Sequence, residues 1–454
     1  MSPHSISKPP PLAVVILAAG NGTRMKSRRP KVLHEIAGLP MLAYPVALAE
    51  ALAPERMVVV IGPKADAVRE AFADHARFVE QPAPRGTGHA VQCAMPALDG
   101  FTGEVLVLYG DVPLLRAESL AALRSLKTES KAPLAMLTSP EPLPGLVVRG
   151  KDGRVERIVE TTDATPEELG IREGNTGVYL VDSELLTGAL DELDSHNVQE
   201  ELYLTDVVAI TRQRKLAVEA LQLSDADEAL GVNNRAELAR ATAVQFRRNT
   251  ERLMAGGVTF IDPSAVWIDT GVEIGRDSTI DPGVKISGPT RIGEGVHVKA
   301  HTVIESSELE DDVEIGPSAH LRPGTRLRKG VRVGNFVEVK NSDLGPGVKA
   351  DHLSYIGDAD VGARASFGCG SITVNYDWKQ KHRTEVGEGA KIGCNANLVA
   401  PLVIEPGAFV AAGTTVTKRV PAEAIAVSTG RQKNVEGWAR RRRSQKRPDG
   451  GEGK

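Results

Sequence analysis

The chain has 454 residues, more than one ordinary hydrophobic core organises, so two or three domains are expected. An apolar fraction of 41%, a charged fraction of 25% and a formal net charge of -4 fit an ordinary globular protein and single out neither nucleic acid nor membrane as partner. Three scattered cysteines, Cys93, Cys369 and Cys394, exclude a disulfide framework and a cysteine zinc site, which points to a reducing cytoplasm.

The first residues, MSPHSISKPPP, lack the cationic and apolar regions of a signal peptide, and no apolar run approaches the roughly 20 residues that span a bilayer. Strand-like apolar runs then follow at Leu12–Leu17, Met57–Ile61, Val105–Leu108 and Leu134–Leu137. Helix-like stretches lie between them, among them Leu39–Leu52 and Ala65–Phe72. This alternation predicts an α/β domain with a mostly parallel sheet and helices on both faces, whose ligands sit at the carboxyl ends of strands. The stretch Arg235–Met254 has apolar and cationic faces and no breaker before Gly256-Gly257, so it predicts one long connecting helix.

Beyond it the period changes to six. Ile274, Ile280, Ile286, Ile292, Val298 and Ile304 form one run. After a one-residue slip come Leu309, Ile315, Leu321, Leu327, Val333 and Val339, and a third run holds Val386, Ile392, Leu398, Ile404, Val410 and Val416. A strict six fits neither helix nor strand. It is the signature of a parallel β-helix, in which each hexapeptide forms one side of a coil and turns one apolar residue inward. The six-spacing lapses between about Gly370 and Thr384, which predicts a loop ejected from the stack. The last residues, from Ala439, are basic and without apolar periodicity, and read as a solvated, disordered tail, the alternative being nucleic-acid or membrane contact.

Chemistry concentrates at strand ends. After the first strand comes "ILAAGNGTRMKSRRPKVL", a glycine-bearing turn followed by Arg24 and Lys31. Backbone N–H groups of such a turn can approach phosphate oxygens, whose charge the cations would neutralise; the alternative is a structural turn with surface cations. The turn is neither a Walker A loop nor the Rossmann G-x-G-x-x-G. Asp111 follows the strand Val105–Leu108, where a carboxylate suits Mg²⁺ shared with substrate phosphates; the alternative is a helix cap. "RGTGHA" is a second small-residue loop opening a helix, and Asn175 and Asn233 lie beside further element ends, where asparagine is ordinarily a turn former.

Taken in order, "LAAGNGTRMKSRRPKVLH", "GTGHA", "YGDVPL", "IVE", "NTG" and "GVNNR" resemble the sugar-nucleotide pyrophosphorylases. "HLRPG", "GNFVEVKNS", "HLSYIGDADVG", "GSITVNYD", "LVAPLVI" and "AAGTTVT" extend the likeness. From about Pro11 to Trp438 the chain is similar to the bacterial bifunctional N-acetylglucosamine-1-phosphate uridylyltransferase / glucosamine-1-phosphate N-acetyltransferase.

That resemblance implies a Rossmann-like nucleotidyltransferase domain over residues 1–235 and a helical linker over 236–256. It further implies a left-handed β-helix acetyltransferase domain over 257–438 and a basic tail over 439–454. The first domain would make UDP-N-acetylglucosamine from UTP and N-acetylglucosamine 1-phosphate, releasing pyrophosphate. Leu17, Ala18, Ala19 and Gly20 would touch the nucleotide, Arg24 and Lys31 would take the phosphates, and Gln81, Gly86 and Thr87 would read uracil. Tyr109, Gly110 and Asp111 would lie across the site. Asp111 and Asn233 would hold Mg²⁺, and Gly145, Glu160 and Asn175 the sugar. The second domain would acetylate glucosamine 1-phosphate with acetyl-CoA. Arg322 and Lys340 would grip the phosphate, His352 would be the base, and Tyr355, Ser366 and Asn375 would contact substrate. Cys369, Asn375, Tyr376, Cys394, Ala412 and Arg431 would line the acetyl-CoA site. The product feeds peptidoglycan and lipopolysaccharide synthesis, and a homotrimer is implied. The chain departs from the pattern at "PGLVVR", where a tyrosine and an arginine are missing, and at Ser366, Cys394 and Thr429. The competing reading is a pyrophosphorylase with one activity and a structural or regulatory β-helix.

Overall fold

The structure, a computed structural model, describes residues 10–20, 22–63, 65–430 and 434–444. The chain divides into two compact units, one running to residue 255 and including 266–272, the other formed by 256–265 and the residues from 273 onward.

The first unit is built on one sheet. Strand β1 (Leu12–Ala18) lies at its centre because it is apolar on both faces: Val14 and Ile16 pack on one side, Ala13, Val15 and Leu17 on the other. It pairs in parallel with β2 (Arg56–Ile61), which pairs in parallel with β3 (Arg77–Glu80), and on its other edge with β4 (Glu104–Tyr109). Beyond them lie β5 (Leu134–Ser139), the hairpin β6 (Gly145–Arg149) and β7 (Val155–Glu160), then β8 (Gly174–Asp182) and β9 (Val218–Gln222). The order is β9-β5-β8-β4-β1-β2-β3. Strand β8 is antiparallel to both neighbours, so the sheet is mixed rather than uniformly parallel.

Helices α1 (Ala43–Ala51), α2 (Asp66–Ala71) and α4 (Ala117–Ser130) contribute to one layer, and α3 (Thr87–Ala94), α5 (Ser183–Leu190) and α6 (Asp206–Gln213) to the other. The stretch expected to be helical from Leu39 starts later, because Leu39–Pro40 first pairs with Glu35–Ile36. The long α7 (Arg235–Ala255) packs within this same unit: Ala241 and Val244 meet Ile36, Met41 and Val232.

The second unit is a left-handed parallel β-helix of hexapeptide repeats. Its three faces are parallel ladders of two- to four-residue strands, ten in one and eight in another. The inward columns follow the six-spacing: Ile280 over Val298, Ile315 and Val333; Ile286 over Ile304, Leu321, Val339 and Ile356; Ile292 over Leu309, Leu327 and Leu344. Where the period lapsed, the coil does not stop at Gly370. Ile372–Val374 stays in the ladder, and Thr373 takes the inward place between Ile356 and Leu398. Its hydroxyl bonds both the N–H and the C=O of Gly357, which lets a polar residue occupy a core column. Only the segment after Asn375 leaves the stack, closed by a bridge between Tyr376 and Lys381. The tail does not begin as a disordered coil. Trp438–Ser444 forms a short helix, α8, in keeping with arginine's good helix propensity; the residues after it lie outside those described.

Inward and outward positions on neighbouring coils differ in what they bury. Ile356 is fully buried, whereas Ile372 on the next coil faces outward and is 41% exposed. Ile356→Ala is expected to destabilise the second unit by about 2–5 kcal/mol, and Ile372→Ala by under about 1 kcal/mol. Urea denaturation of both variants checks this; equal losses would contradict the phase of the stack.

Candidate active sites

In the first unit the candidate residues converge beyond the carboxyl ends of β1 and β4. Gly22 has φ 59, and a Cβ there would lie 2.7 Å from the Lys31 Cβ. Only glycine lets the turn fold under Lys31. The lysine then reaches across the turn, where its Nζ donates to Asp111 Oδ2 at 2.5 Å and to Asn233 Oδ1 at 3.2 Å. Arg24 Nη2 donates to the same Asn233 oxygen at 3.1 Å. The two cations expected for phosphate and the two oxygens expected for metal are therefore partners of each other.

Asn233 is presented by a capped helix. Asn234 Oδ1 accepts from the N–H groups of Ala236 and Glu237, and Glu237 returns a bond to the N–H of Asn233. Asn234 is the N-cap, an N-x-x-E signal legible in "NNRAE", and Glu237 reaches one residue past it, accepting from Asn233 rather than from the N-cap N–H of a capping box. The turn-former role belongs to Asn234, which leaves the Asn233 side chain for the site. Asp111 is fixed through its backbone, whose C=O accepts from Val232 N–H at 2.9 Å.

A cavity of about 470 Å³ opens beside these groups, lined by Thr87, Tyr109, Asp111, Gly145, Glu160, Asn175 and Asn233. Gly145 sits on β6 against the Asn175 side chain, and a Cβ there would crowd it at 3.3 Å. Pro144 and Leu143 take the wall beside it, and Leu146 is buried. Glu160, on the paired strand β7, faces the same space. Gln81 is buried, and its Nε2 donates to Gly86 C=O, so it braces the loop that opens α3. Gly86 has φ 98, and a Cβ would lie 2.4 Å from Leu202 C=O. The Thr87 hydroxyl accepts from Leu204 N–H. These contacts bring in Glu201, Tyr203 and Thr205, cavity residues that no strand-end motif in the sequence marked.

The end of this cavity around Glu160 and Glu201 is acidic. Burial, with Asp163, Asp206 and Glu201 nearby, holds the Glu160 carboxyl above its usual range. Burial and the charges of Asp194 and Asp163 push Asp206 up to about 6. Among the described residues no three His, Cys, Asp or Glu side chains form a metal cluster by themselves.

The second unit brings Arg322, Lys340, Tyr355 and Asn375 to one region of the β-helix. Arg322 Nη1 donates to Glu338 at 2.9 Å. Asn375 Nδ2 lies 3.3 Å from the Tyr355 hydroxyl. The Lys381 side chain of the ejected loop meets Lys340, and this contact, with burial and the Arg322 charge, holds Lys340 below the usual lysine range. Two ammonium groups with a guanidinium charge nearby are an arrangement that suits an anion. Lys381 and Glu338 were not expected from sequence, because a lysine in a polar loop and a glutamate on a strand carry no local signal. His352 is exposed, and its Nδ1 lies 3.0 Å from Asn335 Oδ1. The oxygen only accepts, so Nδ1 carries the proton and Nε2 is left as the basic nitrogen.

Ser366 lies on the ladder face between Lys349 and Lys391. The ladder register places Cys369, Cys394 and Ala412 on successive coils, where Asn395 N–H bonds Cys369 C=O and Gly413 N–H bonds Cys394 C=O. Such a column suits a thin ligand running along the stack. Tyr376 stands half-exposed beside Trp378, with ring centroids 6.1 Å apart. Arg431 lies outside the described residues, and Thr429 is exposed.

Asp206 generates a pH prediction. Its folded carboxyl binds a proton up to about pH 6, whereas an unfolded aspartate releases it near its ordinary value. Between the ordinary aspartate value of 3.8 and about 6 the folded state holds more protons, so this group's contribution to stability falls as pH rises through the window. Asp206→Asn removes it. The difference in urea midpoint, variant minus wild type, is expected to grow from pH 4 to pH 6 and then level off; a flat difference would contradict the shift.

The family of MobA-like NTP transferase domains matches residues 14–172, and the bacterial transferase hexapeptide (six repeats) matches residues 271–306. Relatives carrying the name bifunctional protein GlmU match nearly end to end. That of Pelobacter propionicus is 45% identical over 94% of this chain and 98% of its own length. That of Geobacter metallireducens is 44% identical over 96% and 99%. That of Streptococcus agalactiae is 43% identical over 94% and 97%. Identity spread over both architectures favours two activities over the reading with one, and the chain belongs to the family of bifunctional GlmU proteins, pairing a nucleotidyltransferase unit with a hexapeptide acyltransferase unit.

Proposed function

We propose that the first unit joins UTP to N-acetylglucosamine 1-phosphate, releasing pyrophosphate, and that the second acetylates glucosamine 1-phosphate with acetyl-CoA. The observation that carries the first assignment is the convergence of Arg24, Lys31, Asp111 and Asn233 beside an acidic, sugar-sized cavity. The sugar phosphate oxygen attacks the α-phosphorus of UTP in line, and the bond to pyrophosphate breaks. Arg24 and Lys31 stabilise the phosphate charge, and the cavity holds the acceptor sugar in place. Asp111 and Asn233 would hold Mg²⁺. Their oxygens already share one cationic group, the Lys31 ammonium, so the donor set fits a hard cation completed by substrate phosphates. Bound there, the metal would neutralise charge developing on the phosphates.

In the second unit Arg322, Lys340 and Lys381 take the sugar phosphate. His352 Nε2 accepts the proton of the sugar amine as its nitrogen bonds to the thioester carbonyl carbon, and the CoA thiolate leaves. The column Cys369–Cys394–Ala412 lies where the extended donor would run. The cysteines are free, which supports action in a reducing cytoplasm. No helix among the described residues is long and apolar enough to cross a membrane.

The two chemistries share no residue and are separable. Asp111→Asn, which keeps a partner for Lys31, is expected to cut UDP-N-acetylglucosamine synthesis by about 10²-fold or more and to spare acetyl transfer. His352→Ala should cut acetyl transfer by roughly 10²–10⁴-fold and spare uridylyl transfer. Assaying both activities on both variants decides; a folded variant that loses both would sink the assignment. Exposed Phe336 and Leu353, register neighbours beside His352, suit contact with another chain, as the homotrimer implied by the family resemblance requires. Light scattering is expected to give three chains, and a monomer active in acetyl transfer would overturn that.

A further inference from the structure

Behind the acetyl-transfer residues lies a buried carboxylate. Asp358 is 5% exposed and stands at a coil corner with φ 50, a left-handed conformation that aspartate tolerates. Its backbone is held on both sides: its N–H donates to Lys340 C=O at 3.0 Å and its C=O accepts from Thr384 N–H at 3.0 Å. Among the described residues no cation forms an ion pair with it, and Lys340 and Arg383 feel its charge without one. Oδ1 accepts from Asn341 Nδ2 and Oδ2 from Asn375 Nδ2, each at 2.5 Å.

An ionised carboxylate only accepts hydrogen bonds, so it dictates which way each amide faces. The nitrogen of Asn375 must turn inward, and its second hydrogen faces the Tyr355 hydroxyl at 3.3 Å. Both donors of Asn375 are then committed, and its carbonyl oxygen is the group left to meet a ligand. We infer that Asp358 is a positioning residue for acetyl transfer: it orients Asn375 as an acceptor that receives the N–H or O–H donors of the amino sugar, and prevents Asn375 from acting as a donor to the thioester oxygen. This rests on Asn375 contacting the sugar. Asn341, at the far side of the carboxylate, is part of the same brace.

The test is an exchange of the pair. Asp358→Asn removes the acceptor-only group, so Asn375 is free to flip; KM for glucosamine 1-phosphate is expected to rise about tenfold, with KM for acetyl-CoA little changed. Asn375→Asp alone sets two carboxylates against each other and should cost more than that. The double variant D358N/N375D restores one carboxylate and one amide and again leaves an acceptor facing the sugar. It should recover at least about tenfold in kcat/KM over Asn375→Asp, within the range of coupling between residues in contact. A purely structural role would move both KM values together and give no recovery. Uridylyl transfer and melting curves on the same samples report folding. An unchanged KM in Asp358→Asn, a double variant no better than Asn375→Asp, or failure of the double variant to fold would each overturn the inference. Loss of the sugar-contact reading looks different: Asn375→Ala would then leave the KM for glucosamine 1-phosphate at its wild-type value.

Discussion

A hexapeptide has one apolar residue to bury and no neighbour of its own to bury it against, so everything in the second unit depends on the backbone ladder between coils. Each strand is two to four residues long and would not persist alone. Held in register, the strands bring Ile280, Val298, Ile315 and Val333 into one column, and the same register carries outward residues with it. Cys369, Cys394 and Ala412 are distant in sequence yet adjacent in space for this reason alone. His352 and Asn335 are ladder partners, which is why the Asn335 carbonyl oxygen reaches the imidazole. The tautomer of His352 thus follows from a neighbour one coil away.

The first unit organises its chemistry by a different constraint, the exhaustion of the sheet at the carboxyl ends of its central strands. Strands β1 and β4 are buried on both faces and lie side by side, so the polar chain that follows each must leave at the same edge. There the Lys31 ammonium meets Asp111 and Asn233. A lysine side chain that is 9% exposed requires such partners, since an unpaired buried ammonium is strongly disfavoured. The contact is a structural necessity of the folded chain, and on the proposed function the same groups are the ones that phosphates and a metal would take over.

Both sites combine charges of one sign in close quarters. Lys340 and Lys381 crowd each other, as do Glu160, Asp163 and Asp206. Like charges so close disfavour the charged forms, and on the proposed function an anion would relieve the first cluster and hydrogen-bond donors the second. The buried Asp358 carboxylate belongs to the same logic: its charge favours the protonated form of Lys340 while its oxygens hold two amides.

Period and order carried much of this protein on the page of its sequence. The six-residue spacing is a direct image of the coil, because every third hexapeptide lands on the same column, and it foretold the β-helix and the loop that leaves it. The buried strands, the long α7 and the glycine turn before Arg24 were legible for the same local reasons. What stayed hidden depends on partners far along the chain. Strand β8 runs antiparallel because the hairpin β6–β7 reverses the chain before it, and no periodicity records direction. Thr373 interrupts the apolar pattern without interrupting the core, since its hydroxyl is satisfied by a glycine of the previous coil. Lys381, Glu338 and Asp358 carry side chains that are commonplace on any surface. Their roles come from being placed within hydrogen-bond reach of Lys340, Arg322 and Asn375, and a hydrogen bond, with its reach of about 3 Å, exists only once the coils have stacked.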